Sequence, residues 1–484
     1  MRTDTFVYHA DDLVYPDEAP FHPHALYPEL EHLRGKLAIG PRNQAFEAVR
    51  AALAGFGLDR AHFDSAAWNP LGALARPGQT IVLKPNLVLH ELPRLAGLHC
   101  LCTHGAIVRA MIDYAAKAVG ADGRVIVADV PLQGADFGLL QRQLGLDRVA
   151  SYCRDVLGYK LEILDLRREW AVLSPDGTQI LRRVPLPGDP EGYTVIDLRE
   201  RSFLEEYARE GARFGITDYD GGVTNTHHRT GRHEYMLANT VLRAAAVINL
   251  PKMKTHQKAG LTAAMKNLVG INGSKEFLAH HRVGAPSRGG DEFPIHTAFH
   301  VAFREVRRLL NARAPHWLWR AARRVGLAVR ARLEGDDAAT SAYAVNAGGW
   351  YGNETLWRTI YDINRAFFDF ERDTIDRRRH YLALVDGIVA GEGNGPLQPR
   401  PVASRTVVVG ESPMAVDLAC ARIMGLDYRK IPFLREHERI GELPLDLALG
   451  SLVTTSPELR AALDARGGFL DFATPLGWRG HLEM

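Results

Sequence analysis

The sequence predicts an α/β fold: parallel sheet arranged in two lobes with a cleft between them, plus an Arg-rich helical insertion. Three observations predict it. Residues 80–131 read strand, helix, strand, the order that builds a right-handed βαβ unit. An unbroken apolar run of strand length stands at 244–250, and further strands read at 381–389 and 405–410, each near a helical pattern. Glycine is frequent, 45 of 484 residues, which suits many tight βα turns better than disorder.

Taken in order, residues 1–75 form a mixed, proline-rich N-terminal extension with helical pieces such as NQAFEAVRAALAGFG. TIVLKPNLV (80–88) is a buried strand ending in a polar turn. HGAIVRAMIDYAAKAVG (104–120) puts Ile107, Met111, Tyr114, Ala115 and Ala118 at helical spacing, and Gly120 stops the helix. RVIVADVP (124–131) is the next strand, and shorter strand-like pieces, KLEILDL and YTVIDL, follow. EYMLANTVLRAA predicts a helix, AAAVINL (244–250) a strand and TAAMKNLVG a short helix. The first lobe and its lysine-rich motif are assigned to 76–303, the insertion to 304–345, a C-terminal α/β part to 346–450 and a tail to 451–484. In that C-terminal part YLALVDGIV and RTVVVG are strands, and GIVAGEGNGP reads as a glycine-rich turn at the cleft. It is no dinucleotide fingerprint, since no G-x-G-x-x-G leads from a strand into a helix. SPMAVDLACARIMG (412–425) is a helix with Ser412 as N-cap, Pro413 at its first position and Gly425 past its end.

A net charge of +2 argues against a nucleic-acid-binding surface, which needs a strongly basic domain. Four cysteines make no disulfide framework in a chain this long, and without a C-x-x-C run no iron–sulfur cluster is expected. The first twenty residues hold no apolar leader pattern and no window of 18 apolar residues exists, so a soluble cytoplasmic protein is expected. Residues 304–332 hold nine arginines and one acid around Trp317 and Trp319. That pattern fits a solvated helical hairpin, or a basic surface for a membrane or an acidic protein partner.

The chemistry concentrates in INLPKMKTHQKAGLTAAMKNLVG (248–270). Only ten lysines stand against 49 arginines, yet Lys252, Lys254, Lys258, Lys266 and Lys275 fall in one short stretch. Pro251 ends the strand and a loop is expected next, at the carboxyl end of a strand, where open α/β sheets bind ligands. If that loop is extended, Lys252, Lys254 and His256 share one side. Thr262 is placed to cap the following helix, whose free N–H groups suit an anion, and Lys266 shares its face. Arginine would carry charge equally well but does not lose its proton, whereas a lysine crowded by cations can serve as base or nucleophile. A plain cradle of point charges is the competing reading. Lys84 and Asn86 sit at the earlier strand end; Asp386 and Asp417 are expected to balance the lysines. Eight of twenty histidines lie between 227 and 300. Singly they read as structural, but as a group they make a divalent metal a candidate, on His280 and His281, with Asp291 and Glu292 as nearby carboxylates.

LKPNLV, the TH of LCTHGAIVRAMIDYA, the lysine stretch, DIN (362–364), LVDGIVAGEGNGP and SPMAVDLACARIMG together resemble the domain-of-unknown-function 362 (DUF362) family over about residues 76–430. Many members resembling it carry ferredoxin-like clusters, whose cysteines this chain lacks. A more distant resemblance joins His256, Ala259-Gly260, Lys266 and His280-His281 to the nickel-pincer-dependent lactate racemase family. There the His and Lys hold the cofactor and a later His binds nickel; here Ala-Met replaces the small glycines before the Lys.

The expected function is an enzyme acting on a small anionic metabolite, a carboxylate, phosphate or sugar acid. His256, Lys266 and Lys254 would do acid–base or nucleophilic work. Lys84, Asn86, Lys252, Thr262, Asn267, Asp386 and Asp417 would bind substrate. The alternatives are a non-catalytic anion- or partner-binding protein docked by the basic helix, and a nickel-pincer-like racemase or epimerase.

Overall fold

A computed structural model describes residues 2, 4–91, 97–310, 314–334, 345–371, 379–437 and 452–484. An eleven-stranded mixed sheet forms its centre. We number its strands β1 (Thr5–His9), β2 (Thr80–Pro85), β3 (Arg124–Asp129), β4 (Leu161–Asp165), β5 (Ala246–Leu250), β6 (Lys252–His256), β7 (Gly260–Thr262), β8 (His380–Asn394), β9 (Gln398–Val402), β10 (Thr406–Gly410) and β11 (Leu452–Thr454). Side by side they run β11-β1-β10-β8-β5-β2-β3-β4. The five strands from β8 to β4 are mutually parallel, and β10 turns antiparallel against β8.

The apolar runs of these strands are unbroken because both faces of the sheet are covered. Side chains alternate between faces. Ile81, Leu83, Val125, Val127, Ile248 and Leu382 join one core, covered by helices Gln44–Gly55 and Gly105–Val119. Val82, Ile126, Val247, Ala383 and Val408 join the other, covered by helices Leu356–Asp369 and Pro413–Ile423.

The α/β class and its parallel pairing are as the sequence predicts. The first lobe and the C-terminal part share one continuous sheet: β8 adds beside β5 with Val247 opposite Tyr381, and β5 beside β2 with Asn249 opposite Lys84. β3 and β4 extend from one side of β2, and β5 and β8 from the other. The gap between the carboxyl ends of β2 and β5 is therefore the point where strand order reverses, the usual ligand position in such sheets. The N-terminal stretch is built in as well, β1 pairing with β10.

Three local expectations are corrected. Residues Glu234–Ala238, expected to begin a helix, belong to the strand Arg232–Ala238 and pair with Tyr193–Asp197, and the helix spans only Asn239–Arg243. His233, Tyr235 and Leu237 are buried while Glu234 and Met236 are not, so the period is two and the helix reading misjudged it. Beyond Pro251 the chain resumes as β6 rather than looping, since β8 is long enough to receive it. The proline instead marks an irregular register between β6 and β8. The segment GIVAGEGNGP is strand over most of its length, since β8 runs on to Asn394 and pairs with β9; only Gly395 and Pro396 belong to the turn between them, with Pro396 at the cavity.

The Arg-rich segment contains helices Ala298–Leu310 and His316–Glu334. The second leans on residues 178–179: His316 bonds Gln179, and the Trp319 Nε1–H donates to the Thr178 hydroxyl. Trp317 stays 70% exposed. Among the described residues no helix is long and apolar enough to cross a membrane.

Candidate active site

β2 and β3 each carry a charged residue at their carboxyl ends, Lys84 just before Pro85 and Asp129 as the last residue of its strand. The Lys84 ammonium reaches Asp129 Oδ1 at 2.6 Å, the Pro85 carbonyl at 2.9 Å and Asn267 Oδ1 at 3.2 Å. The Asn267 amide in turn donates to Asn249 Oδ1 at 2.7 Å, tying the short helix Ala264–Asn267 to β5. Gly270 is required here, because a Cβ on it would lie 2.5 Å from Asp129 Oδ1 and 2.7 Å from Lys84 Nζ.

The extended backbone of β6 gives Lys252, Lys254 and His256 one parity, as expected, but not one environment. Lys252 is fully buried and bonds Asp386 at 3.0 Å and the Tyr15 hydroxyl at 2.7 Å. Tyr15 donates to the other Asp386 oxygen, which leaves this carboxylate committed on both sides. His104 stacks on Tyr15 with ring centroids 3.9 Å apart, and its backbone N–H also reaches Asp386. Lys252 is thus held inside the protein by Asp386, away from the cavity where it was expected to hold an anion.

Lys254 finds only neutral acceptors, Asn86 Oδ1 at 2.6 Å and the Leu101 carbonyl at 2.5 Å. Burial pushes it down to about 7, and Lys252 adds to this. Lys266 is also pushed down to about 7, by burial and then by Lys275, Lys254, Lys84 and Lys258. Burial brings Lys275 to about 8. Among the described residues neither Lys266 nor Lys275 has a hydrogen-bond acceptor or ion-pair partner for its ammonium. His256 Nδ1 accepts from the Lys258 and Ala259 N–H groups at 3.1 and 3.2 Å. That fixes the ring proton on Nε2, and burial holds the ring well below its ordinary pKa, so the imidazole is neutral.

These side chains meet around one cavity of about 80 Å³ at the switch point. Lys84, Asn86, Lys254, His256, Thr262, Lys266 and Asn267 line it, joined by Asp129, Lys275 and Gly270. Seven of the sequence-derived candidates therefore converge. Asp129, which the sequence pattern did not single out, ends the strand VIVAD as Lys84 nearly ends its own, and that position was the available signal. Tyr15 carried no signal of its own.

Thr262 and Asp417 take different parts from those expected. Thr262 lines the cavity but does not cap the helix, whose N-cap is Ala263. Asp417 does the capping from a distance: its two oxygens accept from the Ala264 and Met265 N–H groups. The helix N-terminus is therefore already satisfied, and Asp417 neutralises no lysine. Burial raises its carboxyl to about 8. Asp417→Ala should leave two buried N–H groups unpaired and cost about 2–6 kcal/mol at roughly 1–3 kcal/mol each, read as a lower urea midpoint with unchanged m value.

His280 and His281 do not form a shared metal site. His281 lines a separate cavity of about 570 Å³ with Glu292 and Arg304, while His280 lies in charge range of Lys258, Lys275 and Lys266. Adjacent residues on an extended chain point to opposite sides. Asp291 is engaged by Arg282 and Thr355, and Asp129 by Lys84. Among the described residues, the three-membered group of His, Cys, Asp or Glu ligand atoms is His9, Asp11 and Glu458, not at this cavity. Among the described residues no group of three such ligand atoms gathers around Lys266.

Comparison with known proteins gives a family match and a structural likeness. The family model for a domain of unknown function (DUF362) matches residues 189–422, the family that the lysine stretch resembles. LKPNLV and LCTHGAIVRAMIDYA lie outside the matched residues. No curated protein matches the chain. A crystal structure of a Thermotoga maritima protein aligns with 9% identity and a TM-score of 0.33, over 80% of this chain and 58% of that one.

Proposed function

We propose that this chain, which carries a DUF362 domain over residues 189–422, is an enzyme acting on a small anionic metabolite at the β2/β5 switch point. One observation carries the reading: three lysines line a single cavity with no carboxylate partner among the described residues. Lys84 has Asp129, but Lys254, Lys266 and Lys275 have none. Cations gathered this closely repel one another, which adds to burial in lowering their pKa values, and an anion relieves that repulsion. The His256 Nε2–H adds a neutral donor for one of its oxygens. An anion cradle built only for binding gains nothing from lysines held near neutrality; bases and nucleophiles do.

Oxalate or sulfate should raise the thermal midpoint of the full chain in a saturable way. Lys254→Met and Lys275→Met should each weaken that stabilisation at least ~tenfold in apparent Kd, as expected for removing one charge-assisted hydrogen bond, while the exposed Lys36→Met should not. Equal losses in all three would sink the reading. Turnover of whichever carboxylate or phosphate ester proves to be substrate should fall far more for Lys266→Ala than for Lys36→Met.

A further inference from the structure

We propose that Lys266 forms an imine with a small substrate carrying a carbonyl beside an anionic group, a short 2-oxo acid being the simplest, while Lys254, Lys275 and His256 hold the acid group. This rests on the cavity being an anion-binding active site and goes one step further, to the bond that forms.

The four lysines in the cavity wall are not equivalent. Lys84 is occupied by Asp129, Asn267 and a carbonyl, and Lys254 by Asn86 and a carbonyl. Lys266 and Lys275 have no acceptor among the described residues. Of these two, Lys275 feels the Asp129 carboxylate, which favours its charged form. The charges that act most on Lys266 are Lys275, Lys254, Lys84 and Lys258, all cations, and it acts in turn on the neutral rings of His256 and His280. The amine that is unengaged and crowded chiefly by cations is the one best placed to attack, since burial and those charges leave it a free lone pair near neutral pH. The remaining ammonium groups would attract the substrate's acid group and so bring the neighbouring carbonyl carbon to Nζ. A cavity of about 80 Å³ has room for roughly five to eight water positions, the size of a three- to five-carbon acid and much less than a nucleotide.

The step balances without a redox partner. The Nζ lone pair attacks the carbonyl carbon, forming the C–N bond, and the carbonyl π pair moves to oxygen. That oxygen accepts a hydrogen bond from His256 Nε2–H and takes a proton from the nitrogen. With one further proton from solvent it leaves as water. Neutral amine, carbonyl and one proton thus become a protonated imine and one water. The cationic nitrogen can then accept the electron pair of a bond broken at the neighbouring carbon.

The test treats the full chain with pyruvate, or in a second arm dihydroxyacetone phosphate, then with sodium borohydride, followed by intact mass and peptide mapping. One adduct per chain, on the peptide holding Lys266, is expected in at least one arm, and none in Lys266→Arg. The two arms distinguish a carboxylate from a phosphate as the anionic group. Stabilisation by oxalate, which has no carbonyl of the ketone or aldehyde type, is measured in parallel. Oxalate binding to both proteins with no adduct overturns the imine while leaving the anion-binding reading intact. No adduct and no oxalate binding overturns both. An adduct spread over surface lysines, or one surviving in Lys266→Arg, also overturns it.

Discussion

Asp386→Ala is expected to cost about 3–5 kcal/mol of folding stability, because it strands an ammonium that has no route to water. Lys252 and Asp386 are both fully buried, 3.0 Å apart, and Tyr15 bridges them. Removing the carboxylate removes the charge partner and leaves only the phenol oxygen, and burial already lowers the Lys252 pKa. The chain must then deprotonate Lys252 or open a path for water, and either is unfavourable. The measurement is a urea titration of Asp386→Ala against the double variant Lys252→Met with Asp386→Leu. If the stranded charge is the cause, the double variant should recover most of the stability, since a buried pair replaced by apolar groups of similar volume is often neutral. Equal destabilisation in both would place the cost in packing around Tyr15 and His104 instead. Tyr15→Phe should cost less than Asp386→Ala, about 1–2 kcal/mol, since it removes hydrogen bonds but no charge.

This cluster also shows what the sequence could and could not disclose. The lysine stretch was legible because residue choice departs from the rest of the chain, and its place followed from an apolar run that ends at Pro251. The parallel pairing of β2, β3 and β5 was legible for the same reason: a run with no polar break must be covered on both faces. What each lysine faces was not legible. Tyr15 lies 237 residues from Lys252 in the chain, and only the pairing of β1 and the course of the chain after it bring the two together. Asp417 was recognisable as a polar residue in an apolar helix that needs a partner. Sequence alone does not distinguish an ammonium from two backbone N–H groups as that partner. Thr262 failed as a cap for the complementary reason, since the position it was assigned was already served from a distant helix. Arg232–Ala238 alternates buried and exposed residues, but its apolar letters also fit a helix, and the neighbouring strand Tyr193–Asp197 decides between them.

Affinity for sulfate should fall by at least ~100-fold between pH 6 and pH 9.5, since each charge-assisted hydrogen bond to the anion is worth about 1.5–3 kcal/mol, or roughly ten- to a hundredfold. Sulfate keeps its charge over this range, so the change belongs to the protein. Lys254 and Lys266 stand at about 7 and Lys275 at about 8, against an ordinary 10.5. Below these values all three are ammonium; above them they shed the charge that attracts an anion. By linkage, sulfate binding at pH 8 should take up protons, visible as a dependence of the calorimetric heat on buffer when Tris is exchanged for HEPES. The ligand-free fold should move the other way. Where the folded-state pKa of a lysine is depressed, the unfolded chain binds more protons, so stability rises with pH up to about 10.5. Asp417 opposes this below about 8, because a buried acid that holds its proton gives up that advantage as pH rises. Between pH 8 and 9 the lysines dominate, before the buried thiols, which burial pushes up from 9.0, begin to oppose them; there the two curves should diverge: a firmer empty protein and a weakening response to sulfate. The Lys254→Met, Lys275→Met double variant should flatten both. A sulfate affinity unchanged across pH 6 to 9.5 would mean that these ammonium groups are not what holds the anion.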